Sequence, residues 1–163
     1  MYSVYQLSST EQQRLLSQFP PKYSKTYADH VTVQFGGTQV ALPTPAEKME
    51  IIGRADDNHG LEAMVVRING GLERSDGEIY HITWSLDPQT VPDPDINANP
   101  NGRYKPVHSN VLVCGLIDTT GKLLPEANKR WSFQPFEKPI SFQAEPQLKY
   151  TAAELAQKHA CKC

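Results

Sequence analysis

The chain has 163 residues but only three cysteines, Cys114, Cys161 and Cys163. So small and odd a number excludes a disulfide-stapled scaffold. The opening Met1-Tyr2-Ser3-Val4-Tyr5-Gln6 lacks the basic and apolar regions of a secretory leader, so reduced thiols and a cytoplasmic location are expected. Two cysteines in the tail are too few for a structural zinc site. No apolar run approaches the ~20 residues of a membrane span, so no membrane partner is expected. The net charge is −2. That leaves no basic field for gripping a long nucleic-acid backbone, whereas a small nucleotide or an RNA end needs only a few donors. Histidines, aspartates and glutamates do not fall at metal-ligand spacing, so no metal and no other cofactor is expected. With no heptads, low-complexity tracts or linker, residues 1–163 read as one domain, expected to be monomeric.

Thirteen prolines are present, and they break the chain into short segments joined by stiff loops. Residues 1–7 read as a short strand. Ser8 with Glu11, or Ser9 with Gln12, offers a capping box for a helix over about 10–18, which Pro20-Pro21 ends. Strands are expected over 29–35, 49–55, 61–69 and 78–86. The polar turn 56–60 makes the second and third of these a hairpin. Residues 131–136 and 140–143 read as further strands. Pro135 and Pro139 favour an edge there. Thr151 and Glu154 begin a C-terminal helix over 151–160.

One pattern occurs twice. Asp29-His30-Val31-Thr32-Val33-Gln34-Phe35 is echoed by Tyr80-His81-Ile82-Thr83-Trp84-Ser85, and His81 follows His30 by 51 positions. Side chains alternate along a strand, so each histidine shares a face with its threonine. In the second copy, Ile79, His81, Thr83 and Ser85 are expected on the cleft face. Tyr80, Ile82, Trp84 and Leu86 are expected on the core face. Two imidazoles suit the opening of a cyclic phosphodiester. One takes a proton from water and the other gives one to the leaving oxygen, because histidine holds both protonation states near neutrality. Two threonine hydroxyls would hold the non-bridging oxygens.

The pair His30-Val31-Thr32-Val33 and His81-Ile82-Thr83-Trp84 resembles the signatures of the 2H phosphoesterase superfamily. That family includes RNA 2′,3′-cyclic phosphodiesterases and the cyclic phosphodiesterase domain of fungal tRNA ligases. The second motif, with Lys105-Pro106-Val107-His108-Ser109-Asn110, is also similar to the bacterial RNA-repair-associated branch. The resemblance covers roughly residues 23–113. It implies an α+β, bilobal fold with two antiparallel sheets flanking a cleft and helices outside. It implies metal-independent opening of 2′,3′-cyclic phosphates to a 2′-phosphate. It gives His30 and His81 the acid–base roles, unassigned between them, and Thr32 and Thr83 the phosphate oxygens. Lys105 and Ser109 are further candidates for phosphate contact, and Lys25, Tyr27 and Tyr104 for substrate contact. The long polar segment 87–104 is a candidate flap. Two departures stand out: the 51-residue spacing is short, and Trp84 replaces an aliphatic residue. Two other readings share the motifs. One is a hydrolase of cyclic oligonucleotide signals or cyclic ADP-ribose phosphate. The other is a phosphate-binding module without turnover.

Overall fold

Among the described residues strand-forming stretches dominate, and one stretch, 9–18, is helical. The computed structural model describes residues 1–36, 39–89 and 132–150. In chain order the elements are β1 (Tyr2–Gln6), α1 (Ser9–Gln18), β2 (Lys25–Thr26), β3 (His30–Phe35), β4 (Met49–Asp56), β5 (Leu61–Ile68), β6 (His81–Leu86), β7 (Ser132–Phe142) and β8 (Glu145–Lys149). Ser8 settles the choice of cap: its hydroxyl accepts the Glu11 amide at 3.1 Å and satisfies an otherwise orphaned donor. The expected helix at 151–160 and the segment 90–131 lie outside the described residues.

All the strands join one antiparallel sheet in the order β7-β4-β5-β6-β3-β1-β8, with β2 beside β6. The fold is thus a mostly antiparallel sheet with one helix among the described residues, compatible with the α+β class. The two motif strands are direct neighbours, yet they share the single bridge pair Val31–Ile82. Their outer neighbours hold them more extensively, β1 against β3 and β5 against β6.

Both motif strands carry a bulge at the same place. Along β3, Thr32 pairs with Val4 but Gln34 pairs with Ser3, which leaves Val33 as an extra residue. Along β6, Thr83 pairs with Ala63 but Ser85 pairs with Glu62, which leaves Trp84 as the extra residue. In each case it is the residue after the motif threonine. An extra residue swaps the faces of everything beyond it. This corrects the expected face of two residues. Ser85 lies on the side opposite Thr83, where its hydroxyl donates to the Glu62 carboxylate at 2.7 Å. Leu86 lies on the histidine side, packed with Leu61, Ala63 and Val65.

The sheet carries an apolar cluster on each face. On one, Leu15 of α1 meets Val31, Ile51, Met64, Ile82 and Trp84. On the other, Leu72 and Ile79 of the β5–β6 connection fold onto Ile52, Ala63 and Val65. Gly53 permits the β7 edge to close on this second cluster. A Cβ there would overlap the Phe133 ring and come 2.8 Å from the Gln134 carbonyl. The expected pair of strands at 131–136 and 140–143 is a single strand. It stays paired with β4 on both sides of a register shift and lies at the edge, as its prolines require. β8, at the opposite edge, was not expected.

Candidate functional site

A single antiparallel bridge joins the two motif strands. The two strands are bridged at Val31–Ile82, while the Thr83 carbonyl is met by the Ala28 amide just before the first motif. His30, Thr32, His81 and Thr83 project from the face opposite buried Val31 and Ile82. The structure therefore sets the two motifs, His30 with Thr32 and His81 with Thr83, on neighbouring strands and on one face. Thr32 and Thr83 are half-buried.

The two imidazoles are held differently. His81 is 6% exposed and its Nδ1 lies 2.8 Å from the Ile79 carbonyl. A carbonyl only accepts, so Nδ1 carries the proton and Nε2 is the acceptor in the neutral ring. His30 is more open, with its side chain 27% exposed, and its Nδ1 lies 2.9 Å from Asp29 Oδ2. The same oxygen accepts from Lys149 Nζ at 2.7 Å. Asp29 Oδ1 accepts from Gln6 Nε2 at 2.9 Å. The Tyr2 ring stands 6.1 Å from the His30 ring, centroid to centroid.

Local backbone geometry creates this cluster. Between Thr26 and Val31 the register against β6 slips by two residues. The chain turns there through Ala28 at φ 45°, a left-handed conformation uncommon for alanine. Its amide still donates to the Thr83 carbonyl at 3.0 Å, and the Asp29 carbonyl accepts from Leu7 at 3.0 Å. Asp29 is thereby fixed beside the ring that follows it. Asp29, Lys149 and Gln6 were absent from the sequence expectations. Asp29 stands next to His30 in the chain, which is a signal. Lys149 comes from β8, which pairs with Tyr2 and the rest of β1 across nearly the whole chain, and nothing local announces it.

The hydrogen bond from His30, with those from Lys149 and Gln6, outweighs burial and holds the Asp29 carboxyl well below the usual carboxylate range. A carboxyl depressed in the folded state stabilises the fold above the unfolded value, about pH 4, and loses that contribution as pH falls. Urea midpoints measured from pH 5 down to pH 2 should therefore fall more steeply for the wild type than for Asp29→Ala. Parallel curves would show that Asp29 carries none of the acid sensitivity.

Among the substrate-contact candidates, Lys25 and Tyr27 sit at and after β2. The Lys25 ammonium lies 5.7 Å from the Tyr27 ring centroid, and Tyr27 packs against the cluster around Leu86. Tyr104, Lys105, Ser109 and nearly all of the candidate flap, from residue 90 on, lie outside the described residues. A separate cavity of about 370 Å³ opens near the end of α1, lined by Lys22, Arg54, Asp56, Glu62 and Phe133. Its charges are already matched, Lys22 with Asp56 and Arg54 with Glu62. Arg54 pairs with Met64 of the α1-side cluster and Phe133 packs on the other, so the cavity lies at the β4–β7 edge of the sheet, apart from the motif strands. Among the described residues, no three of His, Cys, Asp and Glu are grouped as metal ligands, and no helix is long and apolar enough to cross a membrane.

Set against family models, curated proteins and solved structures, the chain matches none of them.

Proposed function

We propose that the protein is a metal-independent phosphodiesterase of the 2H type, opening 2′,3′-cyclic phosphates at RNA ends or on nucleotides by two-histidine acid–base catalysis. The observation that carries this reading is that the two motif strands are antiparallel neighbours bridged at Val31–Ile82, with the motif histidines and threonines on one face. Each motif supplies one imidazole and one hydroxyl from its own side of that seam. A phosphate set between the strands would meet an imidazole from each side and a hydroxyl beside each imidazole. One histidine takes a proton from water as the water oxygen bonds to phosphorus. The other protonates the 3′ oxygen as its bond to phosphorus breaks, which leaves a 2′-phosphate. Thr32 and Thr83 donate to the non-bridging oxygens, where charge is held through the transition state.

Both rings present the same geometry for this work. Each commits Nδ1 to an acceptor, so Nε2 is the nitrogen that exchanges protons in the neutral ring. His30 is the more open of the pair, so substrate approaches from the β3 side. The bilobal arrangement belongs to the same reading. β8-β1-β3 and β6-β5-β4 would be the lobes, each with one motif on its inner strand and one bulge after the threonine. The thin β3–β6 seam would be the floor of the cleft. With reduced cysteines, such an enzyme would work as a monomer in the cytoplasm.

The test is a substrate panel in the presence of EDTA: 2′,3′-cyclic nucleotides, a short RNA ending in a cyclic phosphate, and cyclic dinucleotides. Turnover of the first two to 2′-phosphates is expected. Loss of activity with chelator would overturn the metal-free mechanism. Turnover of cyclic dinucleotides alone would make the protein a hydrolase of nucleotide signals. Tight binding of all three without turnover would make it a phosphate-binding module.

A further inference from the structure

We infer that Asp29, clamped by Lys149 and Gln6, is a positioning residue that sets the tautomer and the ring orientation of His30. The inference deepens the phosphodiesterase reading and rests on it for its kinetic arm alone.

Asp29 has both oxygens committed. Oδ2 faces His30 Nδ1 at 2.9 Å and Lys149 Nζ at 2.7 Å, and Oδ1 accepts from Gln6 Nε2 at 2.9 Å. Gln6 Nε2 also donates to the Asp29 carbonyl at 2.9 Å, so one amide grips both the side chain and the main chain of this residue. A carboxylate so held has little freedom to turn. An ionised carboxylate only accepts, so the imidazole nitrogen facing it must carry a proton. In the neutral ring Nε2 is then the lone-pair nitrogen. An unconstrained histidine prefers the opposite tautomer, with the hydrogen on Nε2 and the lone pair on Nδ1.

Lys149 Nζ also stands 3.5 Å from His30 Nδ1. Two donors so close together need a shared acceptor between them, and Asp29 Oδ2 is that acceptor. The arrangement differs from that of His81, whose Nδ1 rests on a main-chain carbonyl. A carbonyl of the backbone survives any side-chain substitution, whereas the support of His30 depends on one replaceable side chain. A merely structural role for Asp29 would be to anchor β8 through Lys149. The two roles separate because Lys149→Met breaks the anchor and leaves the acceptor, whereas Asp29→Ala removes both.

The experiment uses the full chain labelled with ¹⁵N-histidine, read by long-range ¹H–¹⁵N correlation at a pH where the rings are neutral. His30 is expected in its Nδ1–H form in the wild type and in Lys149→Met. In Asp29→Ala it should shift toward Nε2–H. With a 2′,3′-cyclic nucleotide, kcat of Asp29→Ala should fall on the order of a hundredfold with KM little changed, the signature of a misplaced catalytic group. Asp29→Glu should recover part of both signals. An unchanged His30 tautomer in a folded Asp29→Ala would overturn the inference. So would an equal tautomer shift in Lys149→Met, which would assign the effect to the loss of the anchor. A wild type without turnover would remove the phosphodiesterase reading and leave the tautomer arm to decide the role of Asp29.

Discussion

His30→Ala and His81→Ala should each cut turnover of a 2′,3′-cyclic nucleotide by about 10²–10⁴-fold, the range for losing one positioned acid or base. The two substitutions will not be equal tests. His30→Ala leaves Asp29 with Lys149 and Gln6 as partners, so the fold has no new buried charge to tolerate. His81→Ala removes the donor that meets the Ile79 carbonyl at a buried position and should cost about 1–3 kcal/mol of stability as well. His81→Asn is the cleaner variant, because an amide nitrogen can stand where Nδ1 stood. The double substitution should be little worse than either single one, since an acid and a base that act on one phosphate fail together. Activity within a few-fold of wild type in either single variant would show that the chemistry is elsewhere.

How much of this was legible in the chain follows from how local each feature is. The cap at Ser8, the hairpin around 56–60 and the His-x-Thr strands are set by neighbours in sequence, and they form where the residues say. The faces beyond the threonines are not local. Val33 and Trp84 become bulges only because β1 and β5 pair with one residue fewer on their side. Strict alternation therefore put Ser85 and Leu86 on the wrong faces. Pro135 and Pro139 look like breaks in β7, and Pro146 hides β8, yet both strands are edges where a missing amide costs little. The support of His30 is the least legible part. Asp29 lies beside its histidine in the chain, but Lys149 reaches it only because the last described strand adds to the first.

Trp84→Ala should destabilise the fold by about 3–5 kcal/mol, the cost of emptying a buried aromatic site. Trp84 is fully buried and packs in the cluster with Leu15, Val31 and Ile82. Its Nε1 donates to the Phe19 carbonyl at 2.9 Å, where the chain leaves α1. One side chain therefore fills the space under the helix and satisfies the carbonyl at its end. Such a loss is a large share of the 5–15 kcal/mol typical of a domain, so the variant should be partly unfolded at moderate temperature. Trp84→Phe keeps most of the apolar area and loses the hydrogen bond, so about 1–2 kcal/mol is expected. Urea titration of the three proteins measures both steps. The position matters to the site because Trp84 is the extra residue that follows Thr83. Its indole pins the bulge from the α1 face, and the bulge fixes where β6 stops presenting residues on the histidine face. A Trp84→Ala variant that lost under about 1 kcal/mol would show that the indole is not the pin.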